Sequence, residues 1–144
     1  IILEAEGDEA YQALTTSKQN VVEPTVSDAI TLAARQVAET VNANCIVTYT
    51  TSGSTTLRAA RERPTVPILC VTSSLSTARR MAIAWGIHSV HIDQEERFST
   101  VVKRAVDIAE TQGFASSGDH IVITAGVPMG KSGSTNVLRI ERIP

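Results

Sequence analysis

The sequence predicts an α/β fold: a three-layer sandwich in which a mostly parallel five-stranded sheet carries helices on both faces. Three observations predict it. Four strand-like runs alternate with helical patterns along the chain. The runs at 45–49 and 67–71 are apolar throughout, as strands buried on both faces are. The last two strand-like runs follow each other with no helix between them. A parallel crossover needs a dozen or more residues, so the final strand is expected to run antiparallel.

The elements follow in order. Residues 1–20 are mixed, with Tyr11 and Leu14 as anchors, and read as a helical lead-in. The stretch 21–24 is an extended connector, because Pro24 disfavours helix at Glu23. A helix then begins, capped by Thr25 or Ser27, with Asp28 in its first turn. Val26, Ala29, Ile30, Ala33, Val37 and Val41 keep helical spacing, and Asn42 and Asn44 end it. The first strand is 45–49. A loop of small hydroxyl residues around Gly53 leads into a short helix stopped by Pro64. The second strand is 67–71. A helix over 75–85 follows, with Ala78, Met81, Ala82 and Trp85 on one face and Gly86 as its stop. The third strand is 89–92. Phe98, Val101, Val102, Ala105, Ile108 and Ala109 mark an amphipathic helix ended by Gly113. The fourth strand is 121–124, a long glycine-rich loop spans 126–135, and 136–140 alternates as an edge strand does. The expected division is 1–20 as the end of a preceding region and 21–144 as one domain.

Bulk properties narrow the function. A chain of 144 residues with 42% hydrophobic content can bury one core. A formal net charge of −2 argues against a nucleic-acid binder, which would carry a basic surface. No apolar run approaches the ~20 residues that span a bilayer. No basic-then-apolar leader is visible, so a cytoplasmic location is expected. Cys45 and Cys70 lie in apolar strands, without CxxC or zinc spacing, and read as small core residues. The opening Ile1-Ile2-Leu3, without methionine, reads as the start of a fragment.

Ser-Gly-Ser-Thr occurs twice, at 52–55 and at 132–135. The first copy follows strand one and the second follows strand four. With strand order 3-2-1-4-5, these strands are neighbours at the topological switch point, where open α/β sheets bind ligands. The two loops would face each other across one crevice. Thr50, Thr51, Ser52, Ser54 and Thr55 offer hydroxyls, and Gly53 lets the backbone come close. The helix behind them aims N–H groups and its positive dipole end at a ligand. Gly126 and Gly133 open the opposite loop, and Lys131 adds a positive charge. This chemistry fits a phosphate, in competition with two ordinary Ser/Thr/Gly turns.

Other motifs carry less. The stretch from Gly126 to Ser132 imitates a phosphate-binding P-loop, but three residues rather than four separate its glycines, and it leads into a strand. His88, His91 and His120 lack acidic partners in the sequence. Ser73, Ser74 and Ser76 lack a nucleophile elbow. Arg58, Arg61, Arg63, Arg79 and Arg80 read as solvated helix residues, Asp93-Gln94-Glu95-Glu96 as an acidic loop or helix start, and Trp85 as a packing anchor.

Several stretches stand in a familiar order: 33–39 (AARQVAE), 51–55 (TSGST), Arg63-Pro64 with Pro67-Ile68, Thr77-Ala78-Arg79-Arg80, Trp85-Gly86, Gly118-Asp119, and 124–128 (TAGVP) with 133–136 (GSTN). Over residues 25–142 the chain resembles the carboxy-terminal domain of pyruvate kinases, the bacterial ones especially. Residues 1–20, with Asp8-Glu9-Ala10-Tyr11, look like the end of the catalytic barrel.

The resemblance implies a domain that holds a tetramer together and, in many members, binds a phosphorylated allosteric effector. The family's effector loops match 50–55 and 126–135 here. Its catalytic residues, with their magnesium and potassium, belong to the barrel, so none is expected in this chain and the fragment alone should lack kinase activity. One departure stands out. Members that bind fructose 1,6-bisphosphate often place a tryptophan and an arginine where this chain reads Gln94-Glu95-Glu96-Arg97-Phe98-Ser99. A sugar monophosphate, a nucleoside monophosphate or no effector at all stays open. So do a purely structural oligomerisation module and a free-standing phosphosugar-binding protein.

Overall fold

The computed structural model describes residues 25–131 and 133–144. The lead-in over 1–20, the connector over 21–24, the domain boundary between them and Ser132 lie outside the described residues. Within them the chain runs α1 (Val26–Thr40), β1 (Cys45–Tyr49), α2 (Ser54–Arg61), β2 (Ile68–Thr72), α3 (Leu75–Met81), β3 (Ile87–His91), α4 (Phe98–Thr111), β4 (His120–Gly126) and β5 (Thr135–Arg142).

The five strands form one sheet in the order β3-β2-β1-β4-β5. β1 pairs in parallel with β2, through Val47↔Leu69, and with β4, through Val47↔Ile123. β5 returns antiparallel on β4, through Val122↔Ile140, with a register shift between Ala125 and Gly126. The predicted topology, antiparallel last strand included, is the observed one. The central strands β1 and β2 are buried at every position, which explains their unbroken apolar runs.

Alternation along β1 sorts the two faces of the sheet. Cys45, Val47 and Tyr49 join a core with Leu69, Val71, Ile121 and Ile123, under Val101, Ala105 and Ala109 of α4. Ile46 and Val122 point the other way, against Ala34 and Ala38 of α1. On that second face the Thr48 hydroxyl lies 2.7 Å from that of Thr56 on α2, and Ser89 donates to the Ala78 carbonyl of α3 at 2.7 Å. Three helices therefore cover one face and α4 the other. Each aliphatic side chain enclosed this way contributes about 1.5–3 kcal/mol. Cys45 and Cys70 are free and buried, and burial pushes the Cys45 thiol up to about 12.

Some boundaries differ from those predicted. α3 stops at Met81 rather than Trp85, because the chain tightens into a turn in which Ala84 N–H donates to the Met81 carbonyl at 3.0 Å. Trp85 is not enclosed. It is 37% exposed and stacks under the Arg63 guanidinium, 4.2 Å from the ring centroid. β3 begins at Ile87, two residues early, since Ile87 pairs with Ile68. β4 and β5 extend each other at both ends by antiparallel pairing.

The arginines differ most. Of the five read as solvated, Arg58 and Arg61 on α2 both reach the carboxylate of Asp28, which is fully buried in the first turn of α1. Thr25 caps α1 by accepting from the Asp28 N–H at 3.2 Å, and its hydroxyl also donates to the Asp28 side chain. That last bond is the main reason the Asp28 carboxyl is held below its ordinary value. Burial opposes the shift, and Arg61 and Arg58 reinforce it. Arg80 donates to the Ser52 carbonyl. Periodicity places an arginine on a helix face, but the partner arrives from another element.

Gly53 makes the turn into α2 in the left-handed region, at φ +87°. A Cβ there would lie 3.0 Å from the Met81 thioether of α3.

Two outcomes follow. Asp28→Asn should cost about 2 kcal/mol at neutral pH, since it leaves two arginines without their carboxylate. A depressed carboxyl contributes stability above its unfolded value, and that contribution is lost as pH falls through the folded value. The gap between wild type and Asp28→Asn should therefore hold at neutral pH and close on acidification below about pH 4, as chemical denaturation at a series of pH values would read. Gly53→Ala should cost about 1–2 kcal/mol from its left-handed backbone, seen as a Tm lowered by several degrees.

Candidate functional site

β1 and β4 end side by side at the same edge of the sheet, and the loops that leave them enclose an open crevice. On one side stand Tyr49, Thr50, Thr51 and Thr55; on the other, Gly126, Met129, Gly130, Lys131 and the 133–135 segment. The two sides touch where the hydroxyl of Thr55 meets that of Thr135. Of the nine predicted site residues, Thr50, Thr51, Thr55, Gly126, Lys131 and Gly133 line the crevice. Ser52, Gly53 and Ser54 do not; they form the turn behind it. There the Gly53 N–H donates to Thr50 Oγ1 at 3.0 Å, and the Ser52 hydroxyl donates to that of Ser54 at 3.1 Å.

The first loop is held from α3. Thr77 Oγ1 donates to the Thr51 carbonyl at 2.8 Å, and Arg80 to that of Ser52. With its carbonyls turned back toward α3, the loop leads into α2, whose N-cap Gly53 has no side chain to cap it; Ser52 Oγ accepts from the Ser54 N–H at 3.4 Å, behind the crevice. A helix start whose N-cap glycine supplies no acceptor, beside threonine hydroxyls, is a set of donors suited to an oxyanion.

The second loop is fastened at both ends. The Asn136 side chain accepts from the Val127 N–H at 2.9 Å and donates to the Val127 carbonyl at 2.7 Å, pairing like a backbone strand. Ser134 Oγ donates to the Lys131 carbonyl at 2.8 Å. At Gly126, a Cβ would fall 2.6 Å from Ser134 Oγ and 2.9 Å from the Ser134 carbonyl oxygen, so a side chain there would push the loop ends apart. Ser27, predicted as a possible cap, instead donates from α1 to the carbonyls of Gly133 and Thr135 at 3.3 and 3.4 Å. These clamps give the motifs at 124–128 and 133–136 a physical meaning.

Lys131 is the charged residue among those lining the crevice, and it is exposed. Tyr49, Met129, Gly130, Ser134 and Thr135 complete the lining. In the sequence Tyr49 reads only as the end of a strand. Its position at the carboxyl end of β1 was the available signal. Ser27, Arg80 and Asn136 act on carbonyls and amides far along the chain, which no local pattern reveals.

The remaining candidates stand apart from the crevice. His88 Nε2 pairs with Gln112 Oε1 at 3.2 Å, and His91 Nε2 with the Ser73 carbonyl at 3.2 Å. The P-loop imitation leads into β5, not into a helix. Among the described residues no group of three or more His, Cys, Asp or Glu side chains could hold a metal ion, and no helix is long and apolar enough to cross a membrane.

Comparison with known proteins places this geometry. The sequence profile described as "Pyruvate kinase, alpha/beta domain" matches residues 28–141. The chain is 39% identical to a pyruvate kinase of Methylorubrum extorquens over 95% of its own length and 29% of that protein's. To a pyruvate kinase of Clostridium acetobutylicum it is 33% identical, over 98% of this chain and 30% of that one. The crystal structure of a pyruvate kinase from Cryptosporidium parvum superposes with a TM-score of 0.82 at 27% identity, over 98% of this chain and 28% of that one. The chain thus spans less than a third of the length of these relatives, and the part it spans is the one that its sheet order and fastened loops describe: it belongs to the pyruvate kinase family, as that family's alpha/beta domain.

Proposed function

We propose that this domain is the regulatory and assembly unit of a pyruvate kinase, and that the crevice between its two loops takes a phosphorylated small-molecule effector. The observation that carries the reading is the meeting of two hydroxyl- and glycine-rich loops at the β1/β4 switch point, with the glycine-capped start of α2 on one side and Lys131 on the other. A single lining cation among the described residues supports one phosphoryl group rather than two, in keeping with the acidic 94–96 segment.

On this reading the whole cytoplasmic protein transfers a phosphoryl group from phosphoenolpyruvate to ADP on a barrel domain. Magnesium and potassium belong there, and no step through either metal is assigned to the described residues. The effector acts only through its differential affinity for two arrangements of the subunits.

A second observation favours assembly. β5 is eight residues long and, among the described residues, pairs on one edge only, leaving a row of backbone groups and the 44%-exposed Ile140 at the sheet margin. A second copy laid along that edge would continue the sheet, which supports a homo-oligomer even where the crevice is unused.

Two experiments test these readings. Calorimetric titration of the intact protein with fructose 1,6-bisphosphate, ribose 5-phosphate, glucose 6-phosphate and AMP should give heat with a monophosphate. Thr55→Ala and Lys131→Ala should each weaken that binding about tenfold. Silence from all four would leave assembly as the domain's role. For the edge, Ile140→Asp should raise the dissociation constant of the oligomer at least about tenfold by sedimentation, and an unchanged constant would remove β5 from the interface.

A further inference from the structure

The crevice has two unlike sides. Thr48, Thr55 and Thr56 belong to the face of the sheet that α1 and α2 cover. Tyr49, one residue along β1 from Thr48, turns to the α4 face, and Met129 packs against the same cluster. A molecule whose phosphoryl group sits at Thr55 and the start of α2 must pass over the end of the sheet, toward Tyr49 and Met129, with whatever else it carries.

Tyr49 is equipped to meet it. Tyr49 lines the crevice and is 7% exposed, packed at the margin of the α4-face core. The phenol oxygen accepts the Glu95 N–H at 3.2 Å, and Glu95 is held in turn by Arg104 at 3.4 Å. A phenol has one hydrogen to give as well as lone pairs to offer. Among the described residues, the hydrogen bond from the Glu95 N–H uses one lone pair of the Tyr49 phenol oxygen. An enclosed hydroxyl normally donates as well as accepts.

We propose that Tyr49 is the specificity-determining residue of this crevice, donating its phenol hydrogen to an acceptor on the non-phosphoryl part of the bound molecule while the Glu95 N–H fixes the direction of the O–H. The inference rests on the reading of the crevice as a phosphate site and adds the class of ligand. The molecule carries one phosphoryl group and, beyond it, a ring with an oxygen or nitrogen acceptor and a face apolar enough to lie on Tyr49 and Met129. A phosphorylated sugar or nucleoside has that chemistry, and inorganic phosphate does not.

The test is calorimetric titration of the intact protein and three variants with inorganic phosphate, ribose 5-phosphate and AMP. Tyr49→Phe keeps the ring and should bind phosphate within about twofold of wild type while losing about tenfold for ribose 5-phosphate or AMP. Whichever of the two shows the loss identifies sugar or nucleoside as the source. Met129→Ala should show the same selectivity and stands in if Tyr49→Phe does not fold. Thr55→Ala should weaken all three. If Tyr49→Phe and Met129→Ala bind all three like wild type while Thr55→Ala weakens them, Tyr49 makes no ligand contact and the phosphate site stands. Equal weakening toward all three by Tyr49→Phe would reduce Tyr49 to a structural role and overturn the proposal. No binding by wild type would overturn both readings.

Discussion

The parallel pairing of β1 with β4 governs where everything else can go. From β1 the chain steps outward through α2 to β2 and through α3 to β3, and both crossovers lie on the same face. Right-handed crossovers leave no other choice. To reach the far side of β1, the chain must then cross back with α4 on the opposite face, which is where α4 packs. The reversal brings two carboxyl ends together with no helix between them, and the crevice is the gap that results.

What lies around that gap is a set of supports that come from a distance. α3 grips the first loop by its carbonyls through Thr77 and Arg80. α1 grips the second through Ser27, one residue before the Asp28 carboxylate that binds α1 to α2. The start of α1 is thus joined to both sides of the crevice, directly on one side and through Arg58 and Arg61 on the other. Buried charge is costly unless paired, and here the pairing spans two helices.

The fold was legible because its signals are collective. Two fully buried strands, helical spacing over 26–41 and 98–109, and the missing crossover before β5 each exclude alternatives over many residues. Boundaries were less legible where a single contact decides them, as at Met81, where a tight turn ends α3 short of an apolar Trp85 that sequence reading enclosed. The crevice was legible as two loops because glycines and hydroxyls mark turns. It was not legible residue by residue. Ser52 and Ser54 differ from Thr55 only in which side of the turn they occupy, and Tyr49 differs from Thr48 only in the parity of a strand. Arg58, Arg61 and Arg80 carry no local mark of the carboxylate or carbonyl they meet.

The contact between Thr55 and Thr135 joins residues 80 apart in sequence. Closing a loop of that length from a disordered chain costs about 4 kcal/mol of entropy, far more than one hydroxyl pair returns. The two threonines therefore meet only after the intervening strands have already been zipped together. No half of the sequence, folding first, can bring both walls of the crevice together. During synthesis the chain must emerge through β5 before the crevice exists, which makes it a property of the finished domain alone.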